Sequence, residues 1–536
     1  MHPSTLAKRV QIFLSFAFLA FYFYGLGQLP LVGPDEPRYA QVAREMLLRN
    51  DWITPTLGGH TWFEKPALLY WLIIPAFKLF GVHEWAARLG PAICGVLTIV
   101  GIWSLARKFE QISDHEPLSQ WSLLITASCL GMIVFARGVS FDIVVTASLT
   151  WALCFFLQSQ LTEASKQNSS LIGFYVLVGL SLLAKGLVGF VVPFGVISLY
   201  FLLRREWPNR TLWLSLFWGL PLSLLVSATW YGPVIYRHGW QFVDEFFVQH
   251  HFARYLSNKY HHPQPLYFYP VILLMLAVPW TPFLIHALIR TAKANWRGGD
   301  AVSRFLVFLL AWILFPILFF SFSGSKLPGY ILPVLPPALL LLSRSVTQLS
   351  GDGPRWPFTI SGVLCVLMGI AGAIYGIRAE HLSTSCVLIA SVPFICAGIF
   401  ASVWKGARWS MLASIAGALF AALTVVLNCA APAVSAREST RDLIALANER
   451  GYAELPVLAM HGDDRSAEFY ASRRVLYDSN GEVIPLDEAP QIVDSFRKRK
   501  QRILAFVPAG DIDLFKGRPG VEVIGDNGKV ALLCLY

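Results

Sequence analysis

The residues with chemical potential in this sequence are charged side chains set against hydrocarbon. Asp35, Glu36 and Arg38 fall in GPDEPRYAQVAREM, Glu64 and Lys65 in TWFEKPALLYW, and Arg137 and Asp142 bracket the turn ARGVSFD. Lys185 interrupts the apolar run SLLAKGLVGF, and Lys326 and Tyr330 sit in FSGSKLPGYILP. A charge this close to a bilayer interior is costly unless it is paired or used. Carboxylates in such places can act as general bases or stabilise a developing cation. Isolated cations suit phosphate, and the planar fork of Arg254 suits it best. The segment EFFVQHHFARYLSNKYHHPQPLYFYP adds His250, His251, His261 and His262. Adjacent histidines seldom address one ion, so a metal site of histidines alone is not expected. Each charge also has a plain structural reading: Asp35 or Glu36 as an acid at a helix N-terminus, the lysines as helix-end residues snorkelling to water. The functional reading gains weight because one topology brings them all to the same membrane face.

That topology follows from hydropathy. A spanning helix takes about 20 mainly apolar residues. Candidates lie near 10–29, 85–106, 119–137, 141–161, 171–184, 186–203, 212–235, 266–289, 304–322, 329–343, 357–377, 385–403 and 410–430, thirteen in all. An odd number puts the termini on opposite sides. With the N-terminus cytoplasmic, Lys8-Arg9, Arg107-Lys108, Arg204-Arg205 with Arg210, and Arg290, Lys293 and Arg297 fall inside, as loop cations should. The acids and isolated cations singled out above then face outward, together with the C-terminal tail. The long loop 33–72 includes an amphipathic stretch (Tyr39, Val42, Ala43, Met46, Leu47) suited to lying along the membrane surface.

Composition agrees. Soluble domains run at roughly 45–50% apolar and about 25% charged; this chain has 55% and 14%, with a mean hydropathy of +0.55. A soluble multi-domain enzyme and a disordered chain are both excluded. The net charge of +10 is uneven: residues 435–536 carry 14 Lys/Arg against 16 Asp/Glu, leaving +12 on the remainder. That basic excess fits loops beside anionic lipid and gives no reason to expect nucleic acid. The expectation is a polytopic α-helical membrane portion over residues 1–434 and a small soluble α/β domain over 435–536. In the tail, a helix from Ser439 to about Arg450, strands at Val457–Met460, Val475–Tyr477, Ile503–Val507, Val521–Ile524 and Val530–Leu535, and a charged helix from about Asp487 to Lys500 are predicted. The eight cysteines show no C-x-x-C pair and no regular spacing, so no disulfide framework is expected. The run after Lys8-Arg9 lacks a small-residue cleavage site and reads as a retained first span.

Taken in order, GPDEPRYAQVAREM, DWITPTLGGHTWFEKPALLYW, RGVSFD, LLAKG, FFVQHHFARY with HHPQPLYFY, and SKLPGYILP resemble the 4-amino-4-deoxy-L-arabinose transferase (ArnT) family. That family is a bacterial branch of the GT-C glycosyltransferases, related to protein O-mannosyltransferases. The resemblance runs from about residue 9 to 345. It implies a GT-C fold in the bacterial inner membrane with a periplasmic C-terminal domain. It also implies inverting transfer of the sugar from undecaprenyl phosphate to a lipid A phosphate, a lipid A modification linked in the family to polymyxin resistance. By motif, Asp35 matches the acid of the first outer loop, the catalytic carboxylate. Lys65 matches the lysine of the EK pair and Asp142 the acid of the RG-x-x-FD turn, and both are taken as catalytic. Arg38 is taken as substrate-binding, Lys185 and Arg254 match positions that hold the donor phosphate, and Tyr330 matches the tyrosine of the KLPxYIL loop. Glu64 matches a position that can ligate a structural zinc, although no histidine partner can be placed for it. The chemistry requires no metal cofactor. Lys65, placed between Asp35 and Asp142, is expected to keep both acids ionised. The alternatives are a related transferase with another sugar or acceptor (a hexosamine on lipid A, or mannose on protein) and a lipid-linked sugar transporter. A transporter is expected to show inverted repeats, which this sequence lacks.

Overall fold

The computed structural model describes residues 5–113, 118–161, 164–253, 264–294, 296–349, 353–460, 465–479 and 481–536. The chain forms two compact units. One comprises residues 1–24, 64–69 and 90–425; the other comprises 25–63, 70–89 and 426–536. The second unit therefore joins the tail to the loop that follows the first helix, two segments nearly 400 residues apart in sequence. The boundary read from composition, at 434/435, does not reveal that association.

The first unit is helical. Its helices include α1 (Thr5–Phe21), α4 (Glu84–Ser113, shared with the second unit), α5 (Leu118–Ala127), α6 (Leu130–Ala136), α7 (Phe141–Leu161), α8 (Ala164–Lys185), α9 (Val188–Arg204) and α10 (Arg210–Val243). Among the described residues nine helices are long and apolar enough to cross a membrane, or ten with the bent pair α5–α6 counted as one span. The other three expected spans are helical but short or broken. α1 and α9 have 17 residues each, and residues 266–289 become two helices, Phe268–Leu276 and Thr281–Ala292. Pro279 and Pro282 account for that break, since proline removes a ladder donor and crowds the preceding turn. α10 continues past its expected end into a π-helical segment, Asp244–Ala253, after a kink at Gly239, whose φ of 56° a side chain would resist. Cys386 and Cys429 are disulfide-bonded, a correction to the cysteine reading; the other six cysteines are free.

The second unit contains α2 (Asp35–Leu48), the hairpin β1 (Thr56–Leu57) and β2 (His60–Thr61), most of α3 (Leu68–Phe80), and the tail. The tail holds a four-stranded sheet in the order β3-β4-β6-β5, with β3 (Val457–Leu458), β4 (Ile503–Pro508), β5 (Val521–Asp526) and β6 (Val530–Leu535). In this sheet β3–β4 is parallel, and β4–β6 and β6–β5 are antiparallel. The β5–β6 turn is fixed by Asn527, whose side-chain oxygen accepts from Lys529 N and Val530 N, and by Gly528 at φ 86°. Alternation along the strands feeds two cores. Leu504, Phe506, Leu532 and Cys534 pack with Leu443, Ile444 and Ala447 of helix Arg441–Glu449. Ile503, Ala505, Val507, Leu533 and Leu535 pack against Ile492, Val493 and Phe496 of helix Pro490–Lys498. Both sheet faces are covered, the arrangement expected of an α/β domain. Val475 and Tyr477 form isolated bridges and not the predicted strand.

Candidate functional site

The structure assembles the charged residues into separate constellations, each described within its own unit. In the first unit, Asp142 lies in the first turn of α7 and Ser140 Oγ accepts its backbone N–H at 3.1 Å. Lys185 is the last residue of α8, which stops at Gly186, where φ is +63°. The Lys185 ammonium is ion-paired with the Asp142 carboxylate and lies 4.7 Å from the centre of the Tyr330 ring. An acid at a helix N-terminus and a cation at a helix C-terminus are each favoured by the backbone dipole. The short 3-10 segment Pro328–Val334 carries Tyr330 against this pair, and its approach needs Gly329. A Cβ at Gly329 would overlap the Asp142 carboxylate. Asp142, Lys185 and Tyr330 thus form one cluster, although they are 43 and 145 residues apart in the chain.

Other sequence candidates in this unit have different positions. Lys65 donates to Glu64 at 2.8 Å, and Lys185 is ion-paired with Asp142. The Glu64 carboxylate is therefore engaged by an ammonium. Among the described residues no group of three or more His, Cys, Asp or Glu side chains could hold a metal ion. Lys326 is buried and donates to Gln264 O at 2.8 Å. Arg137 donates to the carbonyls of Phe21 and Tyr24, the latter at 2.7 Å, which makes it a brace on the end of α1. Arg254, His261 and His262 lie outside the described residues.

In the second unit two consecutive acids have opposite fates. Glu36 is 14% exposed and takes the Arg88 fork on both oxygens, Nε to Oε1 at 3.1 Å and Nη2 to Oε2 at 2.7 Å. Arg88 also donates to the carbonyls of Leu26, Leu29 and Pro30 at 2.7–2.8 Å. One buried guanidinium thus shapes an irregular segment that lacks a hydrogen-bond ladder of its own. Asp35, the neighbouring residue, is 55% exposed. Its Oδ1 accepts from Arg38 Nη2 at 2.9 Å and from Tyr39 OH at 3.1 Å. Arg38 is held in turn by Pro34 O at 2.8 Å and by the Trp62 ring at 5.3 Å. Of the two acids, Asp35 is available to a substrate and Glu36 serves the scaffold.

Several residues that tie together the segments around α2 were missed in the sequence. The short helix Ser466–Tyr470 of the tail packs on α2. Arg44 donates to Phe469 O at 2.7 Å and lies 4.2 Å from the Phe469 ring centre; burial pulls its guanidinium down to about 10. Tyr470 OH accepts from Leu31 N and donates to Glu84, both at 2.8 Å. Glu45 ties down the β1–β2 hairpin, accepting from Thr56 Oγ1 at 2.7 Å, Gly58 N at 2.8 Å and Gly59 N at 3.2 Å. The Gly-Gly turn was the only one of these features with a sequence signal.

Residues 64–231 match the family described as dolichyl-phosphate-mannose-protein mannosyltransferase. The undecaprenyl phosphate-alpha-4-amino-4-deoxy-L-arabinose arabinosyl transferase of Edwardsiella ictaluri is 31% identical over 372 residues, 67% of this chain and 63% of that protein. Its counterpart in Aeromonas hydrophila is 32% identical over 363 residues, 66% and 63%. The chain belongs to the ArnT family. It spans just under two thirds of the length of these relatives. The crystal structure of ArnT from Cupriavidus metallidurans bound to undecaprenyl phosphate has the same fold, with a TM-score of 0.77 over 98% of this chain and 97% of that one at 22% identity. The match to the mannosyltransferase family takes in Lys65, Asp142 and Lys185 but stops short of Asp35 and the tail. The likeness of fold to the ArnT structure extends over both.

Proposed function

We propose that this ArnT-family chain is an inverting glycosyltransferase that moves 4-amino-4-deoxy-L-arabinose from undecaprenyl phosphate to a phosphate of lipid A. The periplasmic face of the inner membrane is the proposed site, with the N-terminus cytoplasmic and the tail periplasmic, in keeping with the loop cations. The names of the relatives support the donor. The observation that carries the reading is the Asp142–Lys185–Tyr330 cluster, a cation poised at a helix end beside an aromatic ring.

In the reaction an oxygen of the acceptor phosphate attacks the anomeric carbon from the face opposite the leaving group, which inverts that centre. The bond from the anomeric carbon to the lipid phosphate breaks, and its electron pair stays on the undecaprenyl phosphate oxygen. Negative charge builds there, and the Lys185 ammonium stabilises it most at the transition state. The Asp142 carboxylate and the α8 C-terminus hold that ammonium in place and aimed before substrate arrives. Arg254 is assigned to the same phosphate on its motif alone. Asp35, oriented by Arg38 and Tyr39, stabilises the cationic sugar as the bond breaks or positions the acceptor. A phosphate acceptor is already anionic, so a general base matters less here than it would for a hydroxyl. With purified protein, synthetic donor and a lipid A acceptor, Lys185→Ala should lower turnover roughly 100- to 1,000-fold, the usual cost of one preorganised electrostatic partner. Turnover within about threefold of wild type, a span of under 1 kcal/mol, would remove Lys185 from the mechanism.

A further inference from the structure

At the far end of α8 and α9 from Lys185 lies a cavity of about 580 Å³. Near Lys185 the two helices are in backbone contact, since a Cβ on Gly189 would strike the Ser181 and Leu182 main chain. Away from that contact, bulky side chains keep them apart. Phe174 and Tyr175 of α8, Phe194 and Phe201 of α9, and Trp213 and Leu216 of α10 form the wall. Tyr175 braces it, with its hydroxyl 2.9 Å from Ser215 Oγ and its ring seated against Gly219, where a Cβ does not fit. From Phe194 to Arg205 the helix rises about 16 Å at roughly 1.5 Å per residue. That is the depth of one leaflet of a hydrocarbon core about 30 Å thick.

The mouth of the cavity is charged and aromatic. Arg205, Glu206 and Trp207 line it, and Trp207 is 87% exposed, as an interfacial indole would be. Glu206 is paired with Arg204, whose buried guanidinium also bonds the carbonyls of Trp296 and Gly298. Arg205, which lines the mouth, and Arg210, the first residue of α10 two positions before the lining residue Leu212, are both exposed and have no ion pair with any described residue. An apolar slot one leaflet deep, with the exposed Arg205 at its opening and a second exposed cation, Arg210, two residues before its lining residue Leu212, matches an anionic lipid with its tail inserted. We propose that this cavity binds one acyl chain of an anionic glycerophospholipid whose phosphate is held by Arg205 and Arg210. The site is distinct from the Lys185 cluster and does not depend on the sugar-transfer reading.

Native mass spectrometry of the full-length, delipidated protein in neutral detergent tests it, with phosphatidylglycerol and phosphatidylcholine of identical chains as probes. One phosphatidylglycerol per chain should be retained at concentrations where phosphatidylcholine is lost. The Arg205→Gln/Arg210→Gln variant should bind phosphatidylglycerol about thirtyfold more weakly, each cation near an anionic lipid contributing roughly fivefold. Ser198→Trp, at an exposed position on the cavity wall, should displace the lipid with both arginines intact. An unchanged thermal transition in both variants shows that they fold. Equal retention of the two lipids, undiminished binding by Ser198→Trp, or displacement of phosphatidylglycerol by equimolar undecaprenyl phosphate would overturn the proposal.

Discussion

Replacing Arg88 separates the two adjacent acids most sharply. The Arg88 fork spans both oxygens of Glu36 and three backbone carbonyls, and both side chains are largely buried. Arg88→Met leaves the Glu36 carboxylate buried without its cation. Breaking one side of a buried pair costs about 3–5 kcal/mol. That opens residues 25–36 by roughly two orders of magnitude or more, since each 1.4 kcal/mol is a factor of about ten. Limited proteolysis reads this directly, because cleavage follows the population of the open segment when reclosing is fast. The cycle is completed by Glu36→Met, which orphans the guanidinium, and by the double variant. Removing both charges relieves the desolvation penalty, so the double variant should recover at least about 2 kcal/mol relative to the sum of the singles. Transfer activity should fall with each single substitution, because the opened segment carries Asp35. Purely additive effects, or protease resistance equal to wild type in Arg88→Met, would refute the idea that this pair holds the loop.

Three further outcomes follow from particular contacts. Gly329→Ala should abolish transfer without unfolding the chain, because its Cβ displaces the Asp142 carboxylate from Lys185; full turnover would dissociate the Pro328–Val334 segment from the site. Tyr470→Phe removes the bridge from Leu31 N to Glu84 and should cost about 1–3 kcal/mol in the second unit, the penalty of unmet buried hydrogen bonds, read by thermal unfolding. Burial raises the Glu468 carboxyl above its ordinary value, against the pull of Arg465 and Arg38, with Glu482 adding to the rise. A raised folded-state value means that the stabilising contribution is complete below the unfolded value of about 4.3 and is lost as pH rises through the folded one. Glu468→Gln should therefore be more stable than wild type at neutral pH and the same near pH 4; parallel stability–pH curves would count against it.

The fold was legible because hydropathy is a sum over long windows: each of the thirteen apolar stretches contains a helix or a helix pair, although 10–29 is helical only to Phe21. Lengths were less so, since Pro279 and Pro282 break one stretch and α1 and α9 stop at 17 residues. The charged residues stood out individually, but their partners did not. The pairing of Asp142 with Lys185, contributed by the end of the next helix, was not read from the sequence. Arg88 drew no attention because a cation at the start of an apolar helix looks like a snorkelling residue. Its work is done on carbonyls some 60 residues away. The tail's strands β4, β5 and β6 were marked by short runs of β-type residues. The grip of Arg44 and Tyr470 on the loop and tail rests on contacts between distant segments, which no local pattern encodes.

Asp35 bears the most weight in this account, and lipid A analysis tests it directly. Wild type and Asp35→Asn would be expressed in a Gram-negative host that supplies the aminoarabinose donor but lacks its own transferase, and lipid A examined by mass spectrometry. Aminoarabinose on the lipid A phosphates with wild type, and none with an equally abundant, folded Asp35→Asn protein, is the predicted result. Equal modification by both proteins would contradict the role of Asp35, and unmodified lipid A with folded wild type would contradict the proposed sugar or acceptor.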